Sequence, residues 1–174
     1  MQRYDFFTNY RIYQSIFLEF YSSCPFIISK YSVYIEKLAK HFDVQLIVGD
    51  YNHNFWREQV VSLENEKEGG LRCHACFKTL LQATAEKAKE LGFEHFATTL
   101  TISPHKNSAI IKAIGEQFEG YTHYDFKKKD GYKRSIELSK ELELYRQCYC
   151  ACEFSMNTNK PSNTTETMQK EEQK

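Results

Sequence analysis

The chain has 174 residues, which is enough for one compact domain with a buried core. Its 23 basic and 23 acidic residues give a formal charge of zero, which excludes a global electrostatic attraction to nucleic acid or to a membrane. No apolar run approaches the roughly 18 to 20 residues that span a bilayer, and the N-terminal residues lack a signal-peptide pattern. These features predict a cytoplasmic protein without a membrane partner, in which any nucleic-acid contact comes from a local patch.

The two ends of the chain differ in composition from its centre. Residues 1–28 are rich in Tyr, Phe and Ile without clear turn signals, so they are compatible with a strand, a helix or an irregular arm. Residues 156–174 contain no aromatic residue and almost nothing apolar, so burial cannot offset the entropy lost on ordering them. We therefore predict an atypical aromatic N-terminal segment, an α/β domain over residues 29–155 and a disordered polar tail.

The central part of the chain alternates helices with short β-rich runs. Apolar residues three and four positions apart indicate the helices, and short β-branched or aromatic runs indicate the strands. This alternation favours a parallel sheet flanked by helices. The predicted elements in chain order are a helix over 30–42, a strand over 44–48, a loop with the sequence GDYNHNFW, a helix over 73–91, a β-rich run over 93–102, a helix over 103–118, a short strand over 121–126 and a helix over 132–142.

Capping residues and apolar spacing refine two of these helices. Ser103 and Pro104 are typical of an N-cap and a first helical residue, which places the start of the helix over 103–118. Gly92 is expected to end the helix over 73–91. The residues of that helix expected to face the core are Phe77, Leu80, Leu81, Ala85, Ala88 and Leu91.

Cys73 and Cys76 form a C-x-x-C pair at the start of the long predicted helix. Unpaired backbone N–H groups and the helix dipole favour the thiolate over the thiol at such a position. The pair is therefore a candidate for metal binding or thiol redox chemistry, and incidental packing is the third alternative.

A second cysteine group, Cys148, Cys150 and Cys152, lies near the end of the last predicted helix. In an extended segment these alternate residues share one face, whereas a tight turn would bring Cys150 and Cys152 into a strained, reducible disulfide. Packing of the three in a core is the remaining alternative. If the fold joins this group to the C-x-x-C pair, the sulfur atoms suffice for a zinc or an iron–sulfur site, between which spacing alone does not choose.

Two segments are candidate contacts for a nucleic-acid substrate. The loop over 98–107 ends a predicted strand and opens a helix, where free N–H groups attract phosphate. The segment over 125–134 interleaves cations with aromatic residues that can stack on bases, although it is equally compatible with a solvated loop and helix start. The candidate residues are Thr99, Ser103 and His105 in the loop, and Lys127, Lys128, Lys129, Lys133 and Arg134 in the basic segment. His74, His95 and His123 have no assigned role.

Five stretches resemble the QueH-type epoxyqueuosine reductase family, both in their sequences and in their order along residues 29–155. In chain order they are GDYNHNFW, EGGLRCHACF, TTLTISPHKN, DFKKKDGYKRSIELSKELELYRQCYCAC and EFS. The resemblance implies a Rossmann-like α/β fold. It also implies reductive removal of the epoxide oxygen of epoxyqueuosine in tRNA to give queuosine, the last step of queuosine biosynthesis, with electrons from an unidentified donor.

The resemblance further implies roles for two cysteine pairs. Cys73 and Cys76 would be ligands of a [4Fe-4S] cluster, with an additional iron as an open question. Cys150 and Cys152 match the C-x-C pair implicated as a redox-active disulfide. On this reading the cluster carries the electron chemistry, and the protein positions the base.

The N-terminus departs from the family pattern. Family members begin with a strand that leads to a C-C-x-x-C motif, whose cysteines complete the cluster, and this sequence contains no such motif. We therefore expect the sheet to lack its first strand and helix, and we expect the activity of this chain to be impaired. Cys24 and Cys148 have no assigned role, and each is a candidate replacement ligand.

The main rival to a reductase is a non-catalytic tRNA-binding or zinc-stabilised module. In that case the two cysteine pairs would hold a structural Zn²⁺ in tetrahedral geometry. Colour separates the two, because an iron–sulfur protein is brown and a zinc protein is colourless. A nucleotide-activating tRNA-modifying enzyme is disfavoured, because the sequence has no Gly-rich phosphate loop.

Overall fold

The structure is a computed structural model, and it describes residues 15–18, 25–49, 52–146, 150 and 152–156. The predicted tail therefore lies outside the described residues, except for Met156. None of the described helices is long and apolar enough to cross a membrane. The elements, labelled in chain order, are β1 (Ser15–Leu18), α1 (Pro25–Phe42), β2 (Gln45–Val48), α2 (His53–Val60), α3 (Leu71–Glu90), α4 (Ser108–Gly115), α5 (Gly131–Glu141) and α6 (Glu153–Met156), with 3₁₀ turns at Val61–Leu63 and Thr99–Ile102.

A short parallel sheet joins β1 and β2. Ser15 lies opposite Gln45 and Leu18 opposite Val48, and α1 forms the connection between the two strands. Parallel strands need such a crossover, because a tight hairpin can join only antiparallel ones. The strand alternative for the N-terminal segment is thus confirmed over β1, and the predicted strand over 44–48 is confirmed as β2.

The starts of α1 and α2 differ from the sequence prediction. α1 begins at Pro25 rather than at Lys30, since proline has no N–H to lose in a first turn and its fixed φ suits that position. α2 begins in the GDYNHNFW stretch, for which a loop was predicted, and continues to Val60. That prediction is wrong because Asn52 caps the helix, accepting a hydrogen bond from the Phe55 backbone N–H at 3.0 Å.

An isolated parallel bridge joins Phe96 and Tyr121. It is the strand pairing that the structure has where a β-rich run over 93–102 and a strand over 121–126 were predicted. In this bridge the Phe96 carbonyl accepts a hydrogen bond from the Thr122 N–H at 2.8 Å. The rest of the first run turns into 3₁₀ helix instead of continuing as a strand. The described chain is therefore a helix-rich α/β structure with limited parallel pairing.

The predicted helix over 103–118 begins later and ends earlier, as α4. Asn107, not Ser103, is its N-cap. The Asn107 side-chain oxygen accepts hydrogen bonds from the backbone N–H groups of Ala109 and Ile110, at 2.9 and 3.3 Å. Because these bonds satisfy two of the N–H groups that open the helix, they fix its start.

The core lies where α3 packs against α4. The predicted helices over 73–91 and 132–142 are confirmed as α3 and α5, with small shifts at their ends. Leu91 was predicted to face inward, but it is 43% exposed, because α3 ends at Glu90 and Gly92, with φ of 75°, turns the chain. The buried cluster consists of Phe77, Leu81, Ala88, Phe96 and Ile111, with Ala85 packed against it.

Candidate functional site

The start of α3 carries both cysteines of the C-x-x-C pair, as predicted. The Gly69 backbone N–H donates a hydrogen bond to the Cys73 sulfur at 3.2 Å. The Trp56 indole N–H, from α2, donates one to the Cys76 sulfur at 3.3 Å. Each thiol therefore has a fixed donor on the side where α2 and the loop before α3 meet.

The Cys76 thiol lies in an environment that opposes its ionisation. Burial raises its pKa to about 11, and the nearby charges of Cys150 and Cys152 act in the same direction. The Trp56 hydrogen bond and the Lys106 ammonium oppose this rise, but they do not cancel it. The sequence predicts that the helix start favours the thiolate, whereas at Cys76 desolvation by burial is the largest effect and raises the pKa. A metal ion bound here would have to displace the proton.

Lys106 connects the predicted substrate loop to Cys150 and to α3. Its ammonium donates to the Cys150 sulfur at 3.7 Å and lies 5.4 Å from the centre of the Phe77 ring on α3. Its backbone carbonyl accepts a hydrogen bond from the Lys127 ammonium at 2.8 Å, which links the loop to the basic segment. Lys106 was absent from the predicted site residues, although it lies in the TTLTISPHKN stretch.

The segment after the second cysteine group docks on α2 and α3. The Glu153 carboxylate accepts a hydrogen bond from the Arg57 guanidinium and lies 3.3 Å from the His53 imidazole. The Phe154 ring lies under the Arg72 guanidinium, whose carbon is 4.8 Å from the ring centre. Residues about 100 positions apart in the sequence therefore meet next to the C-x-x-C pair.

No three His, Cys, Asp or Glu side chains form a metal-ligating group within the described residues. A four-iron cluster takes four cysteine ligands, so these residues do not fit a complete cluster site. Cys73 and Cys76 stay predicted ligands, and neither is in a disulfide. Cys24 and Cys148 lie outside the described residues.

The predicted loop contacts lie on the surface near Lys106. Thr99 and His105 are exposed, and Ser103 is half-buried. The Ser103 hydroxyl accepts a hydrogen bond from the His105 backbone N–H at 3.3 Å, which shapes the turn before α4. Their roles in substrate binding stay predictions.

Acidic side chains form ion pairs with three cations of the basic segment. The ammonium groups of Lys127 and Lys128 lie 4.0 and 3.9 Å from the Asp125 carboxylate. Arg134 donates to Glu141 at 2.7 Å. The Arg134 pair is exposed and of a kind that contributes little to stability, whereas the Asp125 carboxylate is largely buried. Lys129 and Lys133 are exposed, and the phosphate contacts of the segment stay predictions.

A hydrogen-bonded network around His123 was not predicted from the sequence. One ring nitrogen of His123 lies 3.2 Å from the Ser108 hydroxyl, and the other lies 3.1 Å from the Tyr121 hydroxyl. Burial lowers the pKa of His123 and raises that of Tyr121 to about 12. The network therefore joins a neutral imidazole to two neutral hydroxyls and ties the start of α4 to the Phe96–Tyr121 bridge.

Comparisons with known proteins identify relatives of this chain. The sequence model of the family described as "Epoxyqueuosine reductase QueH" matches residues 29–158. The protein of that name from Streptococcus pyogenes serotype M1 is 49% identical over 117 residues, covering 64% of this chain and 46% of the relative. The Staphylococcus aureus protein (strain Mu50) is 44% identical over 98 residues, which cover 53% of this chain and 41% of the relative. The Thermotoga maritima protein is 37% identical over 130 residues, which cover 70% of this chain and 68% of the relative. The chain spans about half the length of the first two relatives.

Proposed function

This chain belongs to the epoxyqueuosine reductase QueH family, and from that membership we propose that it removes the epoxide oxygen of epoxyqueuosine in tRNA to give queuosine. The reaction takes two electrons and two protons, and it releases the oxygen as water. The proposed substrate is tRNA that carries epoxyqueuosine, in the cytoplasm. This activity is the one named for relatives that are longer than this chain, and the proposal assigns it to this chain.

We propose Cys150 and Cys152 as the redox-active pair that supplies these electrons and protons. When two thiols become one disulfide, two S–H bonds break and one S–S bond forms, which releases two electrons and two protons. This balances the loss of one oxygen as water. An external electron donor, whose identity is open, must then reduce the disulfide again.

The observation that carries this proposal is the position of Cys150. Its sulfur accepts a hydrogen bond from the Lys106 ammonium at 3.7 Å. Lys106 belongs to the predicted substrate loop, so this contact holds the Cys150 sulfur beside that loop. The arrangement is therefore suited to thiol redox chemistry beside a loop that can receive a substrate.

The metal content is a separate proposal. We propose that Cys73 and Cys76 contribute two of the ligands of a [4Fe-4S] cluster. The described residues do not complete the ligand set, so no step of the reaction is assigned to the cluster. A Rossmann-like sheet, of which β1 and β2 would be part, is the fold that we propose for the complete domain.

The second candidate function is a non-catalytic tRNA-binding module, stabilised by zinc at the same cysteines. The observation that favours it is the basic segment, in which Lys128, Lys129 and Lys133 are exposed on the surface. Exposed cations next to aromatic residues bind phosphate and stack on bases without any reaction. Under this candidate the chain binds tRNA but never changes it.

Anaerobic reconstitution of the full chain with iron and sulfide separates the two candidates. The reconstituted protein is given epoxyqueuosine-containing tRNA and a chemical reductant, and its iron and zinc are measured. We expect the protein to hold iron rather than zinc and to form queuosine more slowly than its longer relatives, because the described residues do not complete the cluster ligand set. Turnover should be lost in Cys150→Ser and kept in Glu90→Gln, a control on an exposed i,i+3 ion pair of α3. A colourless protein that holds zinc and binds tRNA without turnover would support the second candidate.

A further inference from the structure

Two residues of the EFS stretch, Glu153 and Phe154, directly follow the proposed redox pair and have no part in the reaction as proposed. We infer that they form an anchor, which docks the cysteine-bearing segment on α2 and α3 and so positions Cys150 beside Lys106. The anchor deepens the proposed function and rests on it for its link to epoxide reduction. The docking itself rests on contacts of the described residues alone.

The polar half of the anchor is Glu153. Its side chain is 24% exposed and meets two basic residues of α2, Arg57 and His53. Arg57 also pairs with Glu64 at 3.0 Å, which orients the guanidinium toward Glu153. A carboxylate held by an oriented guanidinium makes a charge-assisted hydrogen bond, which is stronger and more directional than a neutral one.

The aromatic half of the anchor is Phe154. Its ring contacts the Arg72 guanidinium at 4.8 Å and lies 6.1 Å from the Trp56 ring. Arg72 is 5% exposed and donates to the carbonyl oxygens of Glu64 and Glu66, at 2.8 and 2.6 Å. A buried cation that is fixed by backbone carbonyls offers a rigid surface to an aromatic ring, and its desolvation strengthens the cation–π attraction.

The anchor restrains Cys150 because the two are close along the chain. Cys150 and Glu153 are three positions apart, so their Cα atoms can separate by at most about 10 Å. With Glu153 fixed on α2, the Cys150 sulfur stays within reach of Lys106, where the structure places it at 3.7 Å. Holding reacting groups at a fixed distance raises their effective concentration, which accelerates a reaction without any new chemical group.

Thiol labelling of the full, reduced chain tests the anchor without any substrate. The variants are Glu153→Gln, which removes the charge, and Phe154→Ala, which removes the ring. Phe154→Tyr keeps the ring and Glu90→Gln removes an unrelated surface charge, so these two are the controls. A maleimide probe is added, and the labelling rate of each cysteine is measured by mass spectrometry of its peptide.

We expect Cys150 and Cys152 to label about fivefold faster in Glu153→Gln, which corresponds to ~1 kcal/mol of lost docking. Phe154→Ala should increase the rate at least as much, and both controls should match the original chain. Cys73, half-buried on α3 outside the segment, should label at an unchanged rate. Equal labelling rates of Cys150 in all five proteins would overturn the anchor. An increase at Cys73 as large as that at Cys150 would also overturn it, because it would indicate general unfolding.

Turnover then tests whether docking matters for reduction. The anchor predicts a lower kcat in Glu153→Gln with an unchanged KM for tRNA, because the anchor positions the thiols and does not bind the substrate. A change in KM alone would overturn the positioning role. If the original chain shows the predicted labelling but no turnover, the proposed function fails while the docking stands.

The indole of Trp56 provides an independent signal, because it is the single tryptophan of the chain and lies against Phe154. Trp56 is 1% exposed, so its emission is that of a buried indole. We expect Phe154→Ala to shift that emission to longer wavelength as water reaches the ring, and Phe154→Tyr to leave it in place. An unshifted emission in Phe154→Ala would contradict docking of the segment at this site.

Discussion

Thr101 joins the predicted substrate loop to the basic segment, and its replacement by valine tests that link. Thr101 is fully buried; its hydroxyl donates to the Tyr124 carbonyl at 2.7 Å and accepts from the Phe126 N–H at 3.2 Å. Thr101→Val keeps the shape of the side chain but leaves one buried acceptor and one buried donor without this partner. Because each of the two losses costs about 1–3 kcal/mol, we expect the free energy of unfolding to fall by about 2–6 kcal/mol.

Urea denaturation followed by far-UV circular dichroism measures this change. The matched control is Thr79→Val, since Thr79 is 7% exposed but its hydroxyl donates only to the Ala75 carbonyl, which the helix already uses. Thr101→Ser keeps the hydroxyl and should recover most of the lost stability. If Thr101→Val destabilises the protein no more than Thr79→Val, the two hydrogen bonds do not hold the loop and the reasoning is refuted.

Three further changes test the core, a helix cap and a titrating histidine. Ile111→Ala should lower the unfolding free energy by about 2–5 kcal/mol, because Ile111 is fully buried and leaves a cavity; a loss no larger than that of exposed Val33→Ala in urea titration would contradict this. Asn107→Ala should remove about 0.5–2 kcal/mol with the α4 cap, which the same titration measures. Burial lowers the pKa of His123 from its ordinary 6.5, so below pH 6.5 the unfolded state binds more protons than the folded state. The contribution of His123 to the free energy of unfolding should therefore be complete above pH 6.5 and decline below it. In thermal melts at several pH values, His123→Gln should flatten this decline.

Local sequence signals predicted those elements whose stabilising residues are close along the chain. The C-x-x-C pair begins α3 and Gly92 ends it, because capping and periodicity act within a few residues. α2 was missed because the Asn52 cap lies among residues typical of a loop, and the helix is short. The start of α4 was misplaced because Ser103 was predicted as its N-cap, whereas the Asn107 side chain accepts the hydrogen bonds that open the helix, and this geometry appears only in the folded chain.

The sequence predicts the cysteines of the candidate site but not the contacts that surround them. Cys73, Cys76, Cys150 and Cys152 stand out by spacing, which is visible in the sequence. Spacing does not show that Lys106 reaches a sulfur or that Trp56 donates to one, because these contacts depend on how helices pack. Burial likewise raises the pKa of Cys76, and burial is a property of the folded chain that spacing does not show.

A single-turnover assay on the reduced full chain tests the central claim, which is that Cys150 and Cys152 supply the electrons for epoxide reduction. Reduced protein, freed of excess reductant, is mixed anaerobically with epoxyqueuosine-containing tRNA, and queuosine and the disulfide are quantified together by mass spectrometry. The account predicts that queuosine and the Cys150–Cys152 disulfide form in equal amounts, with neither in Cys152→Ser. Queuosine formed by Cys152→Ser at the original rate would contradict it.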